Sequence, residues 1–249
     1  KQMHYLYADG NIVYPYKTKS NEFALQFRPK TKEDSWFFIM KEYAALAIYY
    51  LMRPVWKKKN IWLVYEKYCV MAQDNGFYFF KYCMENLPEK EKKHIYFILD
   101  KKSLQWPQMK KYGRNLVPFM SARHMLYMLA ARIYVASDAR NHGFAWKPKP
   151  NIITRQISQK KMLFLQHGVT ALKRVDSIYG KGNRSACDLF IVTNTMEEKI
   201  ILDNFGYEPA EVANTGFARW DVLKDCSQDS HNILIMPTWR NWLDSVSDE

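Results

Sequence analysis

The chain has few cysteines and no cysteine-rich motif. Its four cysteines lie far apart and form no CxxC pair. This spacing excludes a disulfide framework or a zinc-finger type of site, and it indicates reduced thiols in a cytosolic setting. P-loop, GxGxxG and HExxH patterns are also missing, so we predict no tightly bound metal and no cofactor. The apolar run over residues 43–52 is too short for a bilayer span, which needs about 20 residues.

Positive charge and aromatic side chains, in contrast, are abundant. The chain has 37 Lys and Arg against 25 Asp and Glu, a net charge of +12. This excess predicts attraction to a polyanion, which composition alone leaves open: nucleic acid, an acidic membrane surface or a phosphate-rich polymer. Aromatic residues make up 16% of the chain, enough that some rings are expected to face a membrane interface or a ligand.

The first 59 residues differ in character from the rest. Residues 1–34 have short β-like runs around a turn at Asp9-Gly10, which predicts a β-hairpin or the tail of a preceding β-domain. Residues 35–59 predict an aromatic and basic helix that Ser35 caps and Pro54 ends. Its tryptophans and the three lysines at 57–59 are typical of a helix at a membrane interface, and a buried helix is the alternative.

From residue 60 onward, strand-like and helix-like segments alternate. This order predicts a parallel sheet with helices on both faces, interrupted by a loop or insertion over residues 139–160. Predicted strands cover residues 61–65, 94–99, 116–119, 133–136, 162–166, 189–192, 212–214 and 233–236. Predicted helices cover residues 76–87, 121–132 and 195–205, the last with a capping box of Thr195 and Glu198 and a stop at Gly206.

One predicted strand ends in a histidine and a glycine, His167-Gly168, followed by a basic segment. Open α/β folds bind their ligands at the carboxyl edge of the sheet, where this imidazole would lie. Histidine titrates near neutral pH and can accept a proton from an attacking hydroxyl, and glycine allows close approach of a ligand. A His-Gly pair alone is more often a turn than a site.

Four motifs in one order give the chain a family resemblance. The segment Gln166-His167-Gly168-Val169-Thr170-Ala171-Leu172-Lys173 resembles a Trp-His-Gly-Thr-Pro-Leu-Lys motif. Thr215, Gly216, Arg219 and Asp221 match Thr-Gly-x-x-Arg-x-Asp, and residues 237–240 match Pro-Thr-[Trp/Tyr]-Arg. Glu66 and Asp74-Asn75-Gly76 resemble a first strand–loop–helix. Over residues 60–243 the chain thus resembles the CDP-glycerol glycerophosphotransferase family, the teichoic acid primases and polymerases.

The resemblance implies an α/β glycosyltransferase-B architecture with two Rossmann-like domains facing a cleft. Residues 60–185 would form the N-terminal, acceptor-side domain. Residues 186–249 would be the beginning of the C-terminal domain that binds the CDP donor, and the chain is expected to be part of a longer protein. Gln166 replaces the motif tryptophan, and Val169-Thr170 replaces Thr-Pro. These two departures predict a branch with a different donor or acceptor.

The family reaction assigns roles to individual residues as expectations. His167 would be the general base that accepts the proton of an acceptor hydroxyl, while CMP leaves the donor. Arg219 and Arg240 would contact the donor phosphates, because guanidinium binds phosphate bidentately. The alternative for Arg219 is a surface salt bridge to Asp221. The other expected donor contacts are Gly168, Val169, Thr170, Gly216, Pro237 and Thr238.

Further residues are expected near the acceptor. Glu66, Asp74 and Asp138 would lie at or beyond strand ends, where one of them could orient His167 or bind an acceptor hydroxyl; Asp74 is equally a helix cap. A basic stretch could hold the growing polyanion, or be a solvated loop: Lys173, Arg174, Lys181 and Arg184.

Three functions therefore compete. The first is a polyol-phosphate transferase at the cytoplasmic face of the cell membrane, peripherally bound, with a CDP-activated polyol donor and a polyanionic, lipid-linked acceptor. The second is a sugar-nucleotide glycosyltransferase of the same fold. The third is a non-catalytic module that binds a membrane or polymer. Nucleic acid is not expected as a partner, because the basic residues are scattered and no recognition motif appears.

Overall fold

The computed structural model describes residues 6–18, 22–144, 152–171, 175–183 and 185–227, together with residue 235. Within these ranges the strands are β1 (Leu6–Ala8), β2 (Asn11–Lys17), β3 (Phe23–Pro29), β4 (Trp62–Tyr65), β5 (Ile95–Leu99), β6 (Leu116–Pro118), β7 (Ile133–Ala136), β8 (Lys161–Phe164), β9 (Leu189–Val192) and β10 (Val212–Asn214). The α-helices are α1 (Trp36–Leu51), α2 (Arg53–Lys59), α3 (Asn75–Asn86), α4 (Glu89–Lys92), α5 (Trp106–Met109), α6 (Ala122–Ala130), α7 (Ile152–Ser158), α8 (Asp176–Tyr179) and α9 (Thr195–Phe205).

Seven strands form one parallel sheet in the order β10-β9-β8-β7-β4-β5-β6. The chain starts in the middle with β4, adds β5 and β6 on one side, and then returns to add β7 to β10 on the other. Strands covered on both faces read as continuous apolar runs, and every residue of β5 is buried. The predicted α/β class, with a parallel sheet preceded by a short β segment and a helix, is confirmed.

Two apolar cores cover the two faces of this sheet. On one face the rings of Tyr65, Tyr134 and Phe190 pack beneath α1, α6 and α9. On the other face Phe80 of α3 packs against Phe97 of β5, with ring centroids 5.3 Å apart. Large rings buried on both sides hold the strand ends in fixed positions, and the loops that follow those ends carry the site described below.

The reversal point of the sheet lies between β4 and β7, which are hydrogen-bonded neighbours. Neighbouring loops leave in opposite directions at such a point, so a crevice opens at the carboxyl ends of the strands. Loops that follow β4, β7 and β8 all meet at this edge. The topology therefore favours this crevice as a ligand site.

The N-terminal segment is a three-stranded antiparallel sheet, β1-β2-β3. The predicted hairpin is present: Asp9 and Gly10 both have positive φ, at 46° and 73°, as a tight two-residue turn requires. The third strand, β3, was not predicted. Its alternating residues Phe23, Leu25 and Phe27 have the strand period, and they are exposed.

The helix predicted over residues 35–59 is two helices that join at Met52. Ser35 caps α1 by accepting the N–H of Phe38, as predicted. Pro54 does not end the helical segment. It lies in the first turn of α2, where a backbone N–H has no acceptor within the helix, so the lack of this group in proline costs no hydrogen bond. No helix of the described ranges combines the length and apolar character that crossing a membrane requires.

Other boundaries shift slightly, for local reasons. Asn194, rather than Thr195, caps α9, because its side chain accepts the N–H of Glu197. Gly206 ends this helix in the left-handed conformation, as predicted. The segment 139–160 was predicted as a loop or an insertion; it contains a 3-10 turn (Arg140–Gly143) and α7. The strand predicted over residues 233–236 lies outside the described residues.

The predicted domain boundary between residues 185 and 186 falls inside the parallel sheet. β9 lies after that boundary and pairs with β8 before it, and β10 pairs with β9. Residues 186–214 therefore continue the first sheet instead of beginning a second one. The two-domain glycosyltransferase-B arrangement stays a prediction.

Candidate active site

The predicted histidine lies at the carboxyl edge of the sheet, three residues after β8. Its ring Nδ1 is 3.1 Å from the carbonyl oxygen of Ser137, which follows β7. A carbonyl oxygen only accepts hydrogen bonds, so Nδ1 of His167 carries the proton in the neutral ring. The lone pair is then on Nε2, the atom from which a general base takes its proton. The side chain is exposed to solvent.

The loop that follows His167 is open. His167, Gly168 and Val169 are all exposed, and a Cβ atom built on Gly168 would meet no heavy atom within 4 Å. The fold itself therefore does not require glycine at this position. Close approach of a ligand to the backbone would explain the glycine at this position.

Arg219 reaches this loop from the other end of the chain. It lies in the 3-10 turn Ala218–Val222, after β10, and its NH1 donates to the carbonyl oxygen of His167 at 3.0 Å. The same nitrogen forms an ion pair with Asp74. The predicted alternative, a salt bridge from Arg219 to Asp221, is thus replaced by a pair with Asp74. The Arg219 guanidinium therefore lies against the backbone of His167.

The Thr-Gly pair of the same motif is fixed by β9. The N–H groups of Thr215 and Gly216 both donate to the carbonyl oxygen of Val192, each at 3.1 Å. Gly216 has φ of +77°, the left-handed region that favours glycine. This turn directs the chain back toward α3 and so delivers Arg219 to the site.

Asn75 connects the two parts of the site; the sequence placed it in the first strand–loop–helix motif but gave it no predicted role in binding or catalysis. Its buried side chain donates through Nδ2 to the carbonyl oxygen of Gln166 at 2.9 Å, and its Oδ1 accepts the N–H of Arg219 at 3.1 Å. Asp74, just before it, caps α3 and also holds the Arg219 guanidinium. A polar pair at a helix start, as at 74–75, looks like ordinary capping in the sequence.

Glu66 is placed at the end of β4, as predicted, but its oxygens are taken up by its own loop. They accept the N–H groups of Gln73, Asp74 and Phe77 at 2.7–3.0 Å. Burial raises the pKa of this carboxyl to about 7, although the three N–H donors act in the opposite direction. The contacts of Glu66 thus order the start of α3.

Asp138 follows β7 and lies beside the histidine loop without contacting the His167 ring. It accepts the N–H of Ala139 at 2.6 Å, lies 3.1 Å from Nδ1 of His142 and 3.3 Å from the Tyr179 hydroxyl. Burial alone would raise its pKa; the contacts with His142 and Ala139 outweigh burial and lower it. Asp138 is therefore a buried anion, and the ring of His142 lies beside it.

A second buried group that the sequence did not reveal lies beneath the loop. The carboxylate of Glu197, in the first turn of α9, accepts the N–H of Thr170 at 2.6 Å and Nε2 of Gln166 at 3.1 Å. Its other oxygen accepts from Thr193. The predicted capping box of Thr195 and Glu198 indicated a helix start, and nothing in the pattern indicated contact with the histidine motif.

The remaining predicted residues fall into two groups. Pro237, Thr238 and Arg240 lie outside the described residues, as do Lys173, Arg174 and Arg184. Lys181 is described, and it forms an ion pair with Glu211. All four cysteines are free thiols. In the described part of the chain, no group of three His, Cys, Asp or Glu side chains is placed to hold a metal ion.

Several known proteins are similar to this chain. The chain is 30% identical over 190 residues to the minor teichoic acid biosynthesis protein GgaB of Bacillus subtilis (strain 168), covering 75% of this chain and 20% of that protein. Two structures of the wall teichoic acid polymerase TagF match at 16% identity and a TM-score of 0.49. They cover 78% and 75% of this chain, which spans about half of theirs, 47% and 46%.

The sequence profile of one family covers most of the chain. The family is described as CDP-glycerol:poly(glycerophosphate) glycerophosphotransferase, and its profile matches residues 47–246. This range includes the histidine loop, the Asp74–Arg219 pair and the segment at 237–240. The chain belongs to the CDP-glycerol:poly(glycerophosphate) glycerophosphotransferase family.

Proposed function

We propose that the chain is the part of a transferase that moves glycerol phosphate, or a related polyol phosphate, from a CDP-activated donor. The acceptor is a hydroxyl group of a teichoic acid or capsule-type polymer, and CMP is released. Family membership over residues 47–246 supports the donor class. The relative GgaB, named for minor teichoic acid biosynthesis, supports the acceptor class.

One observation carries the proposal: the contact of His167 Nδ1 with the Ser137 carbonyl, which leaves the Nε2 lone pair for the substrate. In the reaction, the acceptor oxygen forms a bond to the phosphorus next to the polyol. The bond from that phosphorus to the oxygen of CMP breaks, and the electron pair leaves with CMP. His167 takes the proton of the acceptor hydroxyl, so that an alkoxide need not form in water.

Arg219 is the cation that we assign to the donor phosphates. Its guanidinium has five N–H donors, and those on NH1 already contact Asp74 and the His167 carbonyl. The side chain is 31% exposed, so other donors remain open to an anion in the crevice. Charge that develops on the phosphate oxygens would be offset there. Gly168, Val169 and Thr170 would approach the donor from the loop, and Pro237, Thr238 and Arg240 would complete its site.

The acceptor is proposed to be lipid-linked and to reach the enzyme at the cytoplasmic face of the membrane. Support comes from α1, whose face away from α6 exposes Trp36, Phe37 and Leu51 at 75%, 76% and 83%. Three exposed lysines at 57–59 follow in the last turn of α2. Aromatic rings beside lysines suit the headgroup region of an anionic membrane.

A donor panel tests this function. The protein is incubated with an acceptor polymer and CDP-glycerol, CDP-ribitol or a UDP-sugar, and the released nucleotide is measured by chromatography. We expect CMP release with a CDP-polyol and none with UDP-sugars. Release of UDP from a UDP-sugar would instead support the glycosyltransferase alternative, and no release with any donor would contradict the proposal.

A further inference from the structure

The exposed histidine loop is held at both of its ends by one buried carboxylate. Gln166, just before His167, donates through Nε2 to Glu197 at 3.1 Å. Thr170, after Val169, donates its N–H to the same oxygen at 2.6 Å. The hydroxyl of Thr170 also donates to Oε1 of Gln166 at 3.1 Å, which closes a ring of three residues beneath the loop.

Gln166 adopts a backbone conformation that needs such support. Its φ is +57°, in the left-handed region that residues other than glycine rarely enter. The side chain is 3% exposed, and besides Glu197 its Nε2 donates to the carbonyl oxygen of Ile191. Each polar atom of the Gln166 side chain therefore has a partner. This backbone angle sets the direction in which the chain leaves β8, and hence where the ring of His167 lies.

Glu197 is suited to hold such a turn. It is 1% exposed, and its two oxygens accept from two residues of the loop and from the N–H and hydroxyl of Thr193, both at 2.7 Å. A buried carboxylate is stable only where hydrogen-bond donors surround it. Its charge-assisted hydrogen bonds are strong, so they also fix the positions of these donors. Glu197 itself lies on α9, a helix of eleven residues whose cap is Asn194.

We propose that Gln166 and Glu197 are positioning residues that fix His167 for proton transfer. This inference rests on the proposed function of His167 as the base. Neither side chain reaches the crevice, since both are buried; they act through the backbone of the loop. In this chain the hydrogen bond between Gln166 and Glu197 fixes the loop, and Gln166 stands where the family motif has tryptophan.

Gln166→Glu gives the sharpest test, because it places a second carboxylate beside Glu197. At low pH one shared proton restores the hydrogen bond to Glu197, so the loop keeps its position; the donation to the Ile191 carbonyl is lost at every pH and does not change the comparison. At high pH both groups ionise and repel each other, so the loop is displaced. A displacement of about 1 Å costs on the order of 100-fold in rate. The value of kcat for the variant, relative to the wild type, should fall at least about tenfold between about pH 6 and pH 9.

Thr193→Val is the matched control. It removes a hydroxyl donor from the same carboxylate, but on the side away from the loop. We expect it to lower the unfolding temperature while kcat stays within about twofold of the wild type at each pH. The measurements are kcat and KM for CDP-glycerol with the intact chain, and thermal unfolding at each pH to confirm that the variants stay folded. A Gln166→Glu profile parallel to the wild-type profile would overturn the proposal.

The same variants separate this inference from the proposed function. If the wild type releases no CMP, the proposed function is wrong. The positioning role is then tested by chemical modification of the His167 ring. Diethyl pyrocarbonate modifies exposed neutral histidine, and the rate at His167 is followed by peptide mass spectrometry. The ratio of the Gln166→Glu rate to the wild-type rate should change as pH rises, and the Thr193→Val ratio should not. A constant ratio for Gln166→Glu would contradict the positioning role.

Discussion

At the scale of single residues, the site depends on contacts between distant parts of the chain. Arg219 and Asp74 are 145 positions apart, and Asn75 and Gln166 are 91 apart. Each of these side chains looks ordinary in its own segment: a helix cap, a surface arginine, an amide. Their function becomes visible only when the sheet brings the loops after β4, β8 and β10 to one edge.

The substitution Arg219→Lys should separate the contribution of the positive charge from that of the planar guanidinium. Arg219→Lys keeps the cation but loses the planar group that can hold Asp74, the His167 carbonyl and a phosphate together. We expect KM for CDP-glycerol to rise about tenfold or more, from the loss of a charge-assisted contact of about 1.5–3 kcal/mol. Steady-state kinetics measures this change. Arg132→Lys, at the opposite edge of the sheet beside Asn60, is the control and should change KM little; equal effects at both positions would contradict the role of Arg219.

A buried histidine away from the site makes stability depend on pH. Nδ1 of His124 accepts the N–H of Met120 at 2.9 Å, and Nε2 donates to the carbonyl oxygen of Gly143 at 2.9 Å. Burial lowers its pKa from 6.5 to about 3. The unfolded chain therefore binds a proton between these values and the folded chain does not, so the free energy of unfolding falls as pH drops below 6.5.

The expected slope is at most about 1.4 kcal/mol per pH unit below pH 6.5. Urea unfolding of the wild type and of His124→Gln, compared at pH 7 and at about pH 5, measures it. The wild type should lose more stability on acidification than the variant, in which no proton is taken up at this position. Equal losses in both proteins would show that His124 is not the group responsible.

At the scale of elements, the strands of the parallel sheet were predictable because burial on both faces requires continuous apolar runs. β7, β9 and β10 were predicted to the residue, and α3 and α9 within one position. The strand β3 was missed, because its exposed alternating Phe and Leu lie in a segment that is otherwise polar. The break between α1 and α2 was also missed, because Pro54 fits the first turn of a helix as well as the position after one.

The exposed face of α1 leads to a prediction for membrane binding. Phe37→Ser together with Leu51→Ser removes two exposed apolar side chains without touching the buried face that packs on α6. Burial of each of these side chains in the membrane would contribute about 1.5–3 kcal/mol to the free energy of binding, so the affinity for phosphatidylglycerol vesicles should fall more than about tenfold. Co-sedimentation measures this affinity.

Leu104→Ser is the control for this double variant. Leu104 is 92% exposed and lies in the turn between β5 and α5, away from α1. Its substitution should leave vesicle binding unchanged. The membrane proposal fails if the double variant and the control bind vesicles equally well, or if the wild type does not distinguish anionic from neutral vesicles.

At the scale of the whole molecule, the sequence allowed the fold class and the edge of the sheet to be predicted, but not the extent of the sheet. The motif with Arg219 resembles part of a second domain, yet β9 and β10 extend the first sheet. Strand pairing between distant segments leaves no mark in a single sequence, so the pairing of β9 with β8 across the predicted boundary at 185 was not foreseen. The continuous sheet is also what brings Glu197 beneath the loop of His167.

One proton acceptor at the edge of this continuous sheet, His167, is central to the proposed reaction. His167→Asn keeps a polar side chain of similar reach but removes the titratable nitrogen, and the Ser137 carbonyl can still be satisfied by the amide. The most direct measurement is the rate of CMP release from CDP-glycerol in the presence of acceptor polymer. We predict a loss of about 100-fold or more in kcat for His167→Asn, with little change in thermal unfolding; a variant that releases CMP at the wild-type rate would contradict the role of His167 as the base.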